Sequence, residues 1–143
     1  MSEQKLSEIK RFIAQELHCV VSTVSDLSKP QSALVAFSET EELEIVFATA
    51  DYTRKTRNIQ QNNHISIVIG LSGSVSVQCE GIARVLALDK AGEYAQNHYK
   101  KQPGSREYLN RPGECFVVTK PSWFRYTDIS RHPEKVFEIT LND

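Results

Sequence analysis

Three scattered cysteines, one tryptophan and one methionine in 143 residues set the first limits. Cys19, Cys79 and Cys115 are odd in number and form no C-x-x-C pair. That excludes a disulfide framework and reads as reduced thiols filling a core in a cytoplasmic protein. No apolar run is long enough to span a bilayer, and the N-terminus has no signal-peptide pattern, so no membrane partner is expected. The formal net charge is −1, so no global field draws the chain to nucleic acid, and any anion site must be local. His18, His64, His98 and His132 are dispersed, whereas metal sites need clustered ligands. No metal site is expected, and the histidines read as surface or hydrogen-bonded structural residues. No Ser-His-Asp arrangement stands on a recognisable elbow, so no catalytic residue is named. Internal repeats and low-complexity linkers are lacking too. The length suits a single domain over 1–143, which buries roughly 68–70% of its unfolded surface without staples.

What is present centres on one stretch, Ile45 to Ile59. Ile45-Val46-Phe47 is an apolar run of β-formers. Asp51 and Thr53 are helix N-cap types, and Thr53 precedes a helix-compatible segment ending near Gln61. The first turn of that helix carries Arg54, Lys55 and Arg57. Cations are misplaced there, because the unpaired N–H groups of a helix start already carry partial positive charge. Each costs roughly 0.3–1 kcal/mol at an exposed site, and a bound anion reverses the sign. Helix-start amides, a threonine hydroxyl and two or three cations suit a phosphate. The plainer alternative is a solvated charged face.

Around this stretch, Leu6–Leu17 has the spacing of an amphipathic helix, with Leu6, Ile9, Ile13 and Leu17 on one side and Phe12 beside them. Strands are expected at His18–Val24, Gln31–Ser38 and Leu43–Thr49, joined as an antiparallel meander. The helix after Thr53 ends near Asn62-Asn63, where asparagine tolerates a left-handed cap. His64–Ile69 alternates, with Ile65, Ile67 and Ile69 on one face. Val75–Leu86 is a long strand in which Gly81 marks a bulge or bend. Asp89 is expected to cap a helix running to Lys101, with Ala91, Tyr94, Ala95, His98 and Tyr99 on one face. Gln102–Glu114 reads as a loop with one turn near Arg106–Leu109. Three more strands, Cys115–Thr119, Trp123–Asp128 and Lys135–Leu141, are separated by breaks at Lys120-Pro121 and Ser130–Pro133. Repeated βαβ units are absent. The sum is a mainly β fold with rim helices: an antiparallel barrel of six to eight strands over 18–143, with residues 1–17 as a helix over one end.

Four features in this order resemble the pyridoxamine 5′-phosphate oxidase-like family of FMN-binding split β-barrels. They are Phe47-Ala48-Thr49 followed by Thr53-Arg54-Lys55; Asn62-Asn63-His64 leading into an isoleucine-rich strand; Gly81-Ile82-Ala83 within the long strand; and Trp123-Phe124-Arg125 in the late aromatic strand. The resemblance runs from about His18 to Leu141. It implies a homodimer holding two FMN molecules, each in a groove between subunits. By position, Arg54 and Lys55 would hold the FMN phosphate, with Thr53 and Thr49 helping. The backbone around Phe47 and Ala48 would line the flavin. Ser76 or Gln78 would reach the ring from the partner side, and Trp123 and Arg125 would stand at the far wall. Trp123 suits a plain core aromatic equally well, and Asp128 is the candidate partner of Arg125.

Departures from the authentic oxidase narrow the expectation. Ser32 and Phe37 stand where the oxidase carries a phosphate-binding Arg and a Lys on its second strand. Thr127 replaces a substrate-contacting His, and no closing Arg-Leu-x-Pro segment precedes Asp143. Pyridoxamine phosphate oxidation is therefore not expected. The expected function is an FMN-dependent oxidoreductase acting on a small organic or nicotinamide substrate. The alternatives are a non-catalytic flavin-binding stress or sensor protein, a member using deazaflavin or haem, and a barrel with a vestigial groove. The flavin would carry the hard chemistry, while the protein orients it and excludes water.

Overall fold

Alternation of apolar and polar residues builds most of this molecule, described over residues 2–141 by a computed structural model. The elements are α1 (Ser2–Gln15), β1 (His18–Val24), β2 (Pro30–Glu39), β3 (Ile45–Ala50), α2 (Arg54–Gln61), β4 (His64–Ile69), β5 (Val75–Ala87), α3 (Gly92–Lys101), β6 (Glu114–Asp128) and β7 (Lys135–Thr140). Every strand pairing is antiparallel. The order β3-β2-β1-β4-β5-β6 closes through a β3–β6 pairing, and β7 lies outside on β6. The result is a six-stranded barrel with one additional strand. In β4, Ile65, Ile67 and Ile69 point into the barrel while His64, Ser66 and Val68 face outward. Val21, Phe37, Phe47, Val77, Cys79, Val117 and Phe124 fill the same interior. Helix α1 closes one end through Ile9 and Ile13.

Several expectations need correction. The break at Lys120-Pro121 does not occur, because β6 runs unbroken through Pro121. Here β6 leaves β3, whose pairing ends at Thr119, and takes up β7, whose pairing begins at Trp123. The register with β5 slips at Glu80/Gly81, leaving Ser122 as the extra residue. A proline is tolerated where a bulge interrupts the ladder. Gly81 is required opposite it, since a Cβ there would stand 2.3 Å from the Lys120 carbonyl oxygen. The expected bend at Gly81 is thus present, and it belongs to both strands.

Leu43 is not in β3; it turns the chain with φ +62° while its side chain stays buried. The C-cap Asn62 is extended, not left-handed. Asp89 lies in a short 3₁₀ turn, Leu88–Lys90, and α3 begins after it with Ala91 at its N-cap position. The 102–114 segment contains a longer 3₁₀ turn, Pro103–Tyr108. Helix α1 ends before Leu17, which is exposed.

Helix α3 covers the outer side of β3 and β6, burying Ala95 and Tyr99 against Val46, Phe116 and Val118. Its end is tied down closely. The Lys101 ammonium donates to the Ile13 carbonyl at 3.2 Å and to Glu39 at 2.6 Å, and lies 4.2 Å from the Phe37 ring centroid. His98 has no exposed surface; its Nδ1 meets the Ser38 hydroxyl at 2.8 Å and its Nε2 the Ser105 hydroxyl at 3.2 Å.

Candidate functional site

The barrel is open beside α2. Strand β2 pairs with β3 only through Phe37–Glu39, so its stretch Gln31–Ala36 has β1 on one side and no strand on the other. Residues Ala48–Ala50 of β3 likewise pair only with β6. Helix α2 lies at this split. It buries Thr56, Asn58 and Ile59, and Asn58 donates to Thr23 at 3.0 Å and to Gln31 at 2.9 Å.

Thr53 caps α2 as its residue type predicts. Its hydroxyl oxygen accepts from the Thr56 amide and lies 2.8 Å from the Thr56 hydroxyl and 3.4 Å from that of Thr49. Thr49, Thr53, Arg54 and Lys55 are thereby brought together. Arg54 and Lys55 line a small cleft of about 130 Å³ with Thr23, Gln31, Ser32 and Ala33. Among the described residues neither cation forms an ion pair with a carboxylate. Arg54 is exposed and Lys55 half-buried. Burial holds the Lys55 ammonium below the ordinary lysine value, and the nearby Arg111 charge adds to this, while the Cys115 thiol acts the other way. A helix start with two unneutralised cations and a hydroxyl is chemically suited to a dianion.

The side chain of Phe47 is buried in the barrel, that of Ala48 turns toward α3, and Thr49 faces Thr53. Ser76, Gln78, Trp123 and Arg125 are not part of the cleft. They lie on the outer face of β5 and β6, in cross-strand register with Thr127, Arg125, Glu80 and Gln78 respectively. One transverse row there runs Ser32, Ser22, Ser66, Glu80, Trp123. Trp123 is thus four strands from Ser32, on the order of 19 Å along the sheet at the usual spacing. Both aromatic-strand residues are engaged by β7: the Trp123 indole donates to Glu138 at 3.0 Å, and Arg125 pairs with the same carboxylate. Asp128 is therefore not the partner of Arg125; it accepts from Ser130 and faces Arg131.

Arg111, in the loop before β6, is bound to Glu114 at 2.6 Å and does not line the cleft. Burial pushes the thiols of Cys19 and Cys79 up to about 12 and that of Cys115 to about 11, so all three are protonated fillers at neutral pH. Among the described residues no helix is long and apolar enough to cross a membrane.

A closed antiparallel barrel, split beside a helix whose start is cationic, defines a split-barrel protein with an anion-suited cleft. The chain belongs to the pyridoxamine 5′-phosphate oxidase family, whose sequence profile matches residues 6–140. No curated protein sequence matches it. Similar solved structures include a haem-binding protein from Mycobacterium smegmatis, at TM-score 0.78 and 16% identity, covering 93% of this chain and 56% of that one. The chain thus spans little more than half of that protein. A pyridoxamine 5′-phosphate oxidase-related, FMN-binding protein from Nostoc punctiforme aligns at TM-score 0.66 and 12% identity, over 99% and 96% of the two chains. An F420 reductase aligns at TM-score 0.65 and 18% identity, over 80% and 94%. At such identities the likeness is one of fold.

Proposed function

We propose that this chain is an FMN-binding flavoprotein, an oxidoreductase acting on a small organic or nicotinamide substrate. It works as a homodimer with a flavin in each groove between subunits. One observation carries the reading: Arg54 and the half-buried Lys55 meet at the Thr53-capped start of α2 with no carboxylate ion-paired to either among the described residues. The donor set fits a phosphate. Arg54 and Lys55 would hold it, with Thr53 and Thr49 supporting the cap, and the β3 backbone at Phe47 and Ala48 would line the flavin. When bound, the flavin supplies the electron transfer; the chain orients it and keeps water out.

The placement of Ser76, Gln78, Trp123 and Arg125 supports the dimer, because they lie on the outer face of β5 and β6 and none of them lines the cleft. In that arrangement Ser76, Gln78, Trp123 and Arg125 come from the partner. The exposed outer face also carries an apolar cross-strand run, Leu34, Val20 and Val68, suited to such a contact. A deazaflavin or haem in the groove is the second reading, favoured by the uncharged β2 wall at Ser32. Phe37, buried beneath Lys101, offers no cation in compensation.

The test is to purify the chain and identify the copurifying small molecule by mass spectrometry and absorbance. FMN, with bleaching on addition of reduced nicotinamide, is the expected result. A colourless dimer that takes up no flavin would remove the reading, and bound FMN that no reductant bleaches would leave a binding protein.

A further inference from the structure

The cleft at the start of α2 is small. Its volume of about 130 Å³ is well under the roughly 300–1,000 Å³ of a site that encloses a whole small molecule, so it takes an end group of a ligand. Arg54 and Lys55 form its α2 side, and Gln31, Ser32 and Ala33 of β2 form the other with Thr23 of β1. Ser32 turns outward, its hydroxyl 2.8 Å from that of Ser22 across the ladder. Gln31 points the other way. Alternation along β2 puts it on the inner face with Ala33 and Val35, in cross-strand register with Thr23.

A buried amide sets the orientation of Gln31. Asn58 stands on α2 one turn beyond Arg54; it is 7% exposed, and Thr23 is 1% exposed. The Asn58 Nδ2 group donates to the Thr23 hydroxyl oxygen at 3.0 Å and to Gln31 Oε1 at 2.9 Å. Both of its hydrogens are then used, and the Gln31 carbonyl oxygen is held against α2. The Gln31 Nε2 group is thereby turned away from Asn58, and it has no hydrogen-bond partner among the described residues. Gln31 brings two unused donors to the cleft it shares with Arg54 and Lys55. Two cations and an amide with only donors to spare suit an end group rich in anionic oxygens.

We propose that Gln31 is a third phosphate-contacting residue of this cleft, a neutral donor on the strand that supplies no cation. Asn58 is the positioning residue that turns its amide. Together they select a phosphate monoester, FMN, over the unphosphorylated flavin. This role rests on the FMN reading above.

The experiment titrates FMN and riboflavin into the chain by flavin fluorescence, with melting temperatures reporting that each variant is folded. Gln31→Met removes the amide at near-equal length. FMN affinity should fall roughly 10- to 100-fold, as for loss of a hydrogen bond to a charged group, with riboflavin affinity unchanged. Gln31→Lys keeps a donor but offers Asn58 no acceptor, and it should bind FMN at least as tightly as the parent. A Gln31 that only braces α2 predicts that both variants lose FMN alike, and that result would overturn the contact. Asn58→Leu should weaken FMN binding in the parent and add no further loss to Gln31→Met, because it acts through Gln31; additive losses would overturn the positioning role. FMN affinity kept by Gln31→Met while Arg54→Ala/Lys55→Ala loses it would overturn the role of Gln31 and leave the FMN reading standing. A parent chain that binds neither flavin, or both equally, would overturn both.

Discussion

Two helix ends on this barrel treat their charges in opposite ways. At the end of α3, Lys101 is bound to Glu39 and the Ile13 carbonyl, and His98 is held between two serines. At the start of α2, neither Arg54 nor Lys55 forms an ion pair with a carboxylate among the described residues. The first end is satisfied internally and joins α1, β2 and α3. The second is left without carboxylate partners, as the proposed phosphate site requires. Two larger surface depressions lie elsewhere, one beside Gln61 and Asn62 and the other rimmed by charges of both signs, among them Lys10, Lys90, Glu41, Glu42 and Glu93.

Removing the open end should have the largest effect. Arg54→Ala/Lys55→Ala is expected to weaken FMN binding by 100-fold or more, given roughly 1.5–3 kcal/mol per charged hydrogen bond. Fluorescence titration checks it, and wild-type affinity would break the contrast. Acid should act next, on the closed end. Burial, with the Lys101 charge second, depresses His98 to about 4 from its ordinary 6.5. As pH falls from 6.5 toward 4, the unfolded chain takes up a proton that the folded chain refuses, so stability declines through that window. The loss is at most about 3 kcal/mol, and stability from this group is level above it. Denaturant melts across that range should show the slope, and His98→Gln should flatten it.

Lys101→Ala is expected to cost about 1–3 kcal/mol, less than a fully buried pair because some solvent reaches it, with FMN affinity unchanged. The smallest effect sharpens the comparison most. Arg54→Gln should raise the stability of the flavin-free protein by a few tenths of a kcal/mol, by relieving charge at the helix start. Lys101→Gln at the closed end should only destabilise. Paired urea melts decide the signs.

The legible parts of the fold were those written within one turn or one strand. The alternation in His64–Ile69, the helix face of Ile9 and Ile13, the cap at Thr53 and the bend at Gly81 all appear as their residue types predict. Pro121 misled because a proline ordinarily ends a ladder, whereas here it falls where β6 changes neighbours. Asp89 misled because the chain takes a 3₁₀ turn before committing to α3. In the candidate site, the cluster of Thr53, Arg54 and Lys55 was readable, but its walls were not. Arg125 meets Glu138 and not Asp128 because the β6–β7 register puts them opposite each other, and register is invisible to spacing along one strand.

The order of residues alone settled which segments become strands and helices and where cations gather at a helix start. Those depend on periodicity, capping and dipole effects acting over a few residues. Closure of the sheet decided the rest: the split between β2 and β3, the passage of β6 through Pro121, and the meeting of Arg125 with Glu138. These join segments distant along the chain. Burial of one shared interior selects among their pairings, and no local pattern encodes that choice.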